Sequence, residues 1–322
     1  EHIVKYSIRL LNSAYHIENV DGTDRAIVYL YGTTQEGQGI AVRTPHLQPY
    51  FQAVEVGKEI KKKLKKDDNV ESIEDEELWV DGKIKSCTRI FTKTPDKLYK
   101  LKEWLKNNDL KLLASDIPFH YRYLYDKDLG GCVSFEGEEI TDHNFTCKLV
   151  EATSIEKCED FESDFKILSF DIENSIFERT IYCLSFCVKD SRGYIHEETL
   201  HGDENDILNN FVSAVSKYDP DIITGYNIWG FDWIFLHDRA KCIFNGGNGD
   251  YSEIFLSKLS RIYEKPAELK EKELKSSALG DNILKWIDIH GIVQIDLLKL
   301  IQKDHNLDSY KSALSCDPIS AF

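Results

Sequence analysis

The stretch Phe165-Lys-Ile-Leu-Ser-Phe-Asp-Ile-Glu173 decides the fold of the second part of the chain. Its closely spaced bulky apolar residues predict a largely buried β-strand. Side chains two positions apart on a strand share a face, so Asp171 and Glu173 are expected to point the same way. Phe170 and Ile172 would then point into the core. Neighbouring carboxylates repel each other unless a cation lies between them, although a solvated strand end has the same pattern.

A second acidic motif, Asn-Ile-Trp-Gly-Phe-Asp over 227–232, follows a short predicted strand at 222–224 and leads into a predicted helix. Its last residue, Asp232, therefore lies where a strand passes into a helix, at the edge of the sheet that carries Asp171 and Glu173. Alone, Asp232 could equally be a helix N-cap or a first-turn acid. Together, the three acids predict a cradle for Mg²⁺ or Mn²⁺, which prefer carboxylate oxygens, rather than for zinc.

Length and composition favour a globular protein of about two domains, since the chain has 322 residues and is 42% hydrophobic. Its eight cysteines are scattered without a Cys-x-x-Cys pair, which is typical of reduced thiols in an intracellular protein. No apolar run reaches membrane-spanning length and no signal peptide opens the chain. We therefore expect no membrane partner, and a location in the cytoplasm of a prokaryote or, for a eukaryotic or viral source, in the nucleus or at a viral replication site.

The net charge of −16 argues against a general grip on nucleic-acid phosphates. This charge argues more strongly against a module that only binds nucleic acid than against a metal-dependent enzyme, in which cations join acids to phosphate. The lysine-rich stretch 57–69 predicts a helix with a solvated basic face, with a phosphate contact as the alternative.

Alternating strands and helices predict a small α+β domain over residues 1–145. Its expected strands and helices lie at 3–11, 26–32, 50–54, 57–69 and 96–107. We place the domain boundary within the turn-rich stretch 130–160, and we predict the second domain over 146–322.

The second domain is predicted to contain strands and helices in alternation. They lie at 165–173, 181–188, 194–200, 206–217, 222–224 and 231–241, with the first two strands antiparallel. The charged segment 264–277 is low in apolar residues, and we expect a mobile excursion there.

The two acidic motifs resemble those of a known family. Phe-Asp-Ile-Glu at 170–173 and Tyr-Asp-Pro-Asp-Ile-Ile-Thr-Gly-Tyr-Asn-Ile-Trp-Gly-Phe-Asp at 218–232 are similar to the first and second exonuclease motifs of family B DNA polymerases. Leu-Asp-Ser-Tyr-Lys at 307–311 resembles the family's segment between its second and third motifs, and Asp-Ile-Pro-Phe at 116–119 resembles the end of its N-terminal domain. The resemblance covers nearly the whole chain in the right order, and its second motif is long enough to be specific.

The resemblance implies an α/β chain in which an RNase H-like exonuclease domain with a mixed sheet follows a small α+β N-terminal domain. It implies that Asp171, Glu173 and Asp232 are catalytic, metal-binding acids of a 3′→5′ proofreading exonuclease. Asn227 and Phe231 would hold the frayed 3′ end of the primer. The implied cofactors are two Mg²⁺ or Mn²⁺ ions that share the scissile phosphate, so cleavage would require metal.

This sequence departs from the third motif of the family, Tyr-x-x-x-Asp. Asp317 is the candidate for its acid, and hence a further catalytic and metal-binding candidate, but Ala313 stands where the Tyr would be. The alternative is that Asp317 is an unrelated loop acid. A missing Tyr would leave the attacking water less well oriented and weaken the exonuclease.

The polymerase motifs Ser-Leu-Tyr-Pro-Ser and Asp-Thr-Asp are absent from the sequence. We interpret the chain as the N-terminal and exonuclease portion of a replicative DNA-directed DNA polymerase, a nucleotidyltransferase. The implied partners are primer–template DNA with a single-stranded 3′ end and the remaining polymerase domains, with a sliding clamp as a further candidate. Two alternatives stay open: an exonuclease-inactive module that binds DNA or a partner, and a stand-alone RNase H-like nuclease.

Overall fold

The computed structural model describes residues 3–244, 255, 258–276 and 280–303. Within these ranges the strands, in chain order, are β1 (Ile3–Val20), β2 (Thr23–Thr33), β3 (Gly39–Arg43), β4 (Tyr50–Val54), β5 (Val70–Val80), β6 (Lys83–Thr92), β7 (Leu112–Leu113), β8 (Cys132–Ile140), β9 (Lys148–Lys157), β10 (Ile167–Ser175), β11 (Thr180–Asp190), β12 (Gly193–His201), β13 (Ile222–Gly225), β14 (Glu268–Ser276), β15 (Gly280–Asp288) and β16 (Val293–Asp296). The helices are α1 (Lys58–Leu64), α2 (Pro95–Lys106), α3 (Phe119–Asp126), α4 (Glu204–Tyr218), α5 (Asp232–Phe244) and α6 (Leu297–Lys303). None of the helices in these ranges is long and apolar enough to cross a membrane.

The first part of the chain contains a closed barrel in the strand order β1-β2-β3-β9-β8. All neighbouring pairs are antiparallel except β3 and β9, which run parallel. Closing a sheet into a barrel removes its free edges. Its core includes Ile8, Leu30 and Phe135, against which Phe119 and Tyr123 of α3 pack.

A second sheet of the first part has the strand order β5-β6-β4-β7 and is packed against α1 and α2. Leu98, Leu101 and Leu105 of α2 are buried against Phe51 and Ile90 of this sheet. Their spacing is that of one helical face, so the amphipathic helix predicted from the sequence is confirmed.

The second part is built on a mixed sheet in the order β12-β11-β10-β13-β16. The pairs among β12, β11 and β10 are antiparallel, whereas β13 is parallel to both β10 and β16. α4 and α5 cover one face, where the ring of Phe170 lies 5.1 Å from that of Phe211 and 4.8 Å from that of Trp233. The predicted α/β architecture, with a mixed sheet after an α+β part, is confirmed.

The domain boundary predicted after residue 145 is wrong, because it separates two neighbouring strands of the barrel. β9 pairs with β3 and with β8, so residues 148–157 belong to the barrel. The first strand of the mixed sheet, β10, begins at Ile167. We therefore propose that the boundary lies within 158–166.

The mobile excursion predicted at 264–277 is also wrong, because β14 forms an antiparallel pair with β15. Its charged side chains bind across the strands, with Lys285 Nζ 3.1 Å from Glu271 Oε2 and Lys270 paired with Asp288. Opposite charges that face each other across the strands support this pairing, and Ile287 of β15 is buried in the core of the mixed sheet.

Candidate active site

β10 places Asp171 and Glu173 on the exposed face of the mixed sheet. Leu168, Phe170 and Ile172 alternate with them and are buried, with exposed fractions of 0%, 3% and 6%. This alternation is the one expected from a strand with a period of two residues.

Asp232 is the first residue of α5 and is only 3% exposed. The backbone N–H of Ile172 donates to its Oδ1 at 3.3 Å. This contact joins the second acidic motif to the strand that carries the first, and it puts Asp232 beside Asp171. The two motifs, about sixty residues apart in sequence, therefore meet at one edge of the sheet.

The three acids are coupled electrostatically. Burial, followed by the negative charge of Asp171, raises the pKa of Asp232 to about 7. Burial and the charge of Glu173 raise the pKa of Asp171 as well. The charge of Glu173 thus disfavours ionisation of Asp171, the charge of Asp171 disfavours ionisation of Asp232, and a cation between them would relieve this repulsion.

The donor set fits a hard divalent cation in chemistry, but it is incomplete in the described part of the chain. Among the described residues, no three His, Cys, Asp or Glu side chains lie close enough together to hold a metal ion as they stand. Asp171, Glu173 and Asp232 supply carboxylate oxygens in a coupled group, which is the ligand type that Mg²⁺ and Mn²⁺ prefer. Asp317, the fourth predicted acid, lies outside the described residues.

Asp296, at the end of β16, organises the loop that leads to Asp232. It is 2% exposed, and its Oδ1 accepts hydrogen bonds from the backbone N–H of Asn227 at 3.0 Å and of Leu298 at 2.9 Å. Its Oδ2 accepts from the backbone N–H of Trp229 at 3.0 Å. Asp296 is not among the site residues predicted from the sequence, although a lone acid inside an apolar run is a usable signal.

The loop between β13 and α5 approaches β10 closely. A Cβ atom on Gly225 would lie 2.6 Å from the carbonyl oxygen of Phe170 and 2.5 Å from Cγ2 of Ile228, so only glycine fits there. Two positions later, Asn227 has a φ of 63°, in the left-handed region that Asn tolerates better than most residues. These two residues allow a turn that is tight enough to bring the chain back beside the acids of β10.

Asn227 and Phe231, the predicted contacts to the 3′ end, lie on this same loop. Both are half-buried, and the backbone carbonyl of Asn227 accepts from the backbone N–H of Phe231 at 3.0 Å. The ring of Phe231 stacks on that of Phe235, with centroids 5.8 Å apart. Their position beside Asp232 is observed, and their role at a 3′ end stays a prediction.

A cleft of about 800 Å³ opens beside Asp171 on the exposed face of the sheet. Its lining includes Ser185 and Thr199, which lie opposite Asp171 on the neighbouring strands, and also Tyr226 and Leu297. This volume lies within the range of ordinary ligand pockets.

Comparison with known proteins relates residues 178–312 to the family described as DNA polymerase family B, exonuclease domain. This range contains the loop and Asp232 and begins after Asp171 and Glu173. The DNA polymerase of Archaeoglobus fulgidus is 32% identical over 233 residues, which cover 67% of this chain and 29% of that polymerase. The DNA polymerase delta catalytic subunit of Dictyostelium discoideum is 30% identical over 234 residues, 61% of this chain and 20% of that subunit.

Viral and structural similarities agree with these matches. The DNA polymerase of Pyramimonas orientalis virus is 39% identical over 108 residues, 34% of this chain and 8% of that protein. The solved structure of the family B DNA polymerase from the hyperthermophilic archaeon Pyrobaculum calidifontis matches with a TM-score of 0.68 and 23% identity, over 92% of this chain and 37% of that one, which shows the fold. The chain spans between 8% and 29% of the length of the three sequence relatives named here.

Proposed function

This chain belongs to DNA polymerase family B and contains the family's exonuclease domain, and on that premise we propose that it is a metal-dependent 3′→5′ exonuclease acting on DNA. The observation that carries this proposal is the meeting of Asp232 with Asp171 at one edge of the mixed sheet. Buried acids with pKa values raised by a neighbouring acid are typical of functional sites. Proofreading of a primer end is the role that such an activity would serve in a polymerase.

Asp171, Glu173 and Asp232 would hold the divalent ions, with Asp317 as the candidate fourth ligand. When bound, such ions supply Lewis acidity that activates water and neutralises charge on the phosphate. Asp232 must be ionised to act as a ligand, and its pKa of about 7 means that it carries a proton part of the time at neutral pH. Loading of the site would therefore release a proton from Asp232.

Asn227 and Phe231 would position the terminal nucleotide. An aromatic ring offers a stacking surface for any base, and the Asn amide can donate hydrogen bonds to a base or sugar. Because the loop that carries both residues also leads directly into Asp232, a nucleotide held there would have its phosphate near the acids. A single strand fits this proposal, since a base must leave the duplex before it can stack on a protein ring.

The activity of the whole protein is proposed by the same reasoning. Nucleotide addition would take place in parts of a family B polymerase outside this chain, which spans less than a third of the named relatives. Primer–template DNA and those further domains would be its partners, and a sliding clamp is a further candidate. The net charge of −16 predicts that this chain alone binds DNA weakly.

The test is the degradation of a 5′-labelled single-stranded oligonucleotide by this chain with Mg²⁺, with Mn²⁺ and with a chelator. We expect a metal-dependent ladder that shortens from the 3′ end and disappears in the double variant Asp171→Ala, Glu173→Ala. The matched control is Glu136→Ala with Glu138→Ala, two exposed acids at the same spacing on β8 of the barrel.

Two results would count against the proposal. An unchanged ladder in the Asp171 and Glu173 double variant would refute the assignment of the acids. Metal binding without any ladder would instead favour the exonuclease-inactive module that the departure at the third motif left open.

A further inference from the structure

Arg261 is an unusual residue for the interior, because its side chain is completely buried. Its Nε donates to Asp219 Oδ1 at 3.0 Å, and its Nη2 donates to Asp221 Oδ1 at 2.8 Å. The side chain of Asp221 is likewise 0% exposed, and that of Asp219 is 14% exposed. Buried charges lose their hydration, so such a group needs many good hydrogen bonds to persist.

The barrel supplies those additional bonds. Thr33 at the end of β2 donates from Oγ1 to Asp221 Oδ1 at 2.6 Å, and Thr146 before β9 donates from Oγ1 to Asp219 Oδ1 at 3.0 Å. The backbone N–H of Thr146 also donates to the carbonyl oxygen of Arg261 at 3.0 Å. The barrel and the mixed sheet therefore share one buried ionic group.

The barrel wall is also shaped to receive this group. A Cβ atom on Gly39 of β3 would lie 2.9 Å from Asp219 Oδ2 and 3.0 Å from Arg261 Nη2. Even the smallest side chain would thus have to displace one of the charged partners.

Asp221 joins this group to the starts of three parallel strands. It directly precedes β13, its Oδ2 accepts from the backbone N–H of Lys166 before β10 at 2.9 Å, and its carbonyl accepts from Val293 of β16 at 3.0 Å. Further along, β10 carries Asp171, β13 ends at Gly225, where the loop to Asp232 begins, and β16 ends at Asp296. A separation of four to five residues along a strand spans roughly 15 Å, at about 3.3 Å per residue.

We propose that Arg261 is a positioning residue for the edge of the mixed sheet where Asp171 and Asp232 meet: by holding Asp219 and Asp221 against the barrel, it fixes the alignment of β10, β13 and β16. The barrel then takes part in the geometry of the site without touching it. The consequence for DNA cleavage rests on the proposed function, whereas the consequence for the shape of the edge does not. The two acids of the Asp-Pro-Asp sequence bind Arg261 and do not take part in the reaction.

This buried ionic group is better suited to aligning the strands than to stabilising the fold. Replacing a buried ion pair by neutral groups of similar shape often leaves stability unchanged or raises it. Nη1 of Arg261, moreover, has no hydrogen-bond partner in the part of the chain that the structure describes. An imperfectly satisfied charge is a poor source of stability, but its directional bonds select one arrangement of the strands.

The test compares a neutralised group with a matched ion pair elsewhere. The triple variant Arg261→Met, Asp219→Asn, Asp221→Asn removes all three charges and leaves no unpaired carboxylate. The control, Arg239→Met with Glu204→Gln, removes an ion pair of α5 and α4 with Nε–Oε1 and Nη2–Oε2 distances of 2.8 and 2.5 Å. That pair lies in the same part of the chain but joins two helices.

Two readouts do not depend on cleavage: backbone hydrogen exchange of the segment 225–232, and Mn²⁺ affinity measured by titration. In the triple variant we expect the segment to exchange at least about tenfold faster and Mn²⁺ to bind roughly 3- to 30-fold more weakly, the range for residues that act on a site through packed elements. Both values should stay within about twofold of the native chain in the control. Where cleavage is observed, kcat should fall with KM little changed, since misalignment of catalytic groups acts on the reacting geometry.

Arg261→Lys provides a second test if the triple variant does not fold. Lys keeps the charge but lacks the forked donors, so we expect faster exchange in 225–232 with the fold retained. Native exchange in this segment and native Mn²⁺ affinity in a folded variant would overturn the proposal and leave Arg261 a structural residue. If the native chain neither binds Mn²⁺ nor cleaves DNA, the proposed function fails, while the exchange comparison still decides the role of Arg261.

Discussion

Asp232→Asn should stabilise the metal-free chain at neutral pH, although it removes a candidate metal ligand. The pKa of Asp232 is raised to about 7, chiefly by burial, against roughly 4 for an ordinary Asp. One pKa unit corresponds to about 1.4 kcal/mol, so the ionised carboxylate costs the folded chain up to about 4 kcal/mol. Asn keeps the acceptor for the N–H of Ile172, but its buried amide donors cost roughly 1–2 kcal/mol.

The sign of the effect follows from linkage. A carboxyl with a raised pKa binds its proton more tightly in the folded state, so the contribution of Asp232 to native stability is greatest at low pH. It falls as pH rises from about 4 to about 7 and is constant above that. The variant lacks this loss, so we expect it to be roughly 2–3 kcal/mol more stable than the native chain above pH 7 and slightly less stable near pH 4.

The assay is urea unfolding followed by circular dichroism, in chelator, across this pH range. Asp238→Asn is the control, because Asp238 lies on the same helix with a side chain that is 70% exposed. Parallel stability curves for the native chain and Asp232→Asn would refute the reasoning. Mg²⁺ at about 1,000 times Kd should reverse the order, since a ligand at that concentration adds roughly 4.1 kcal/mol to the protein that binds it.

Three further substitutions test the surroundings of Asp232. Asp296→Ala leaves three backbone N–H groups without their acceptor, so unfolding in urea should show a loss of roughly 3 kcal/mol or more, with the oligonucleotide ladder abolished. Gly225→Ala should lower stability by about 1–3 kcal/mol and slow the ladder, because its Cβ would meet the Phe170 carbonyl. Phe231→Ala should raise KM for a single strand by roughly 5- to 100-fold, which corresponds to the binding free energy of one base stacked on an aromatic ring. The Mn²⁺ affinity measured by titration should stay native.

Local patterns predicted the parts of the fold that local chemistry determines. The period of two in β10 predicts which side chains are buried, and the helical spacing of Leu98, Leu101 and Leu105 predicts α2. The hairpin of β14 and β15 could not be found in this way, because charged residues dominate β14 and leave it without an apolar period. Nor could the boundary, since β9 enters the barrel by pairing in parallel with β3, which lies more than a hundred residues earlier.

The supporting residues of the candidate site escaped prediction for a related reason. Asp296 binds the backbone of Asn227 across 69 positions, and Thr33 binds Asp221 across 188. No periodicity links residues so far apart, and an isolated Asp or Arg in a sequence is far more often a solvated side chain. The motifs therefore identify the acids at the edge, whereas only the folded chain identifies the groups that position them.

The buried carboxylates of the described residues differ in how well positive or hydrogen-bonding partners satisfy their charge. This difference indicates which of these carboxylates has a functional role. Asp221 has Arg261, a threonine and a backbone N–H, and Asp296 has three backbone N–H groups. Asp190 is paired with Arg192, which holds its pKa below the usual range. Asp232 instead has a negative neighbour and a 3.3 Å hydrogen bond from Ile172, so its pKa rises. A folded chain would gain stability by losing that charge, and its retention makes sense if a cation completes the site.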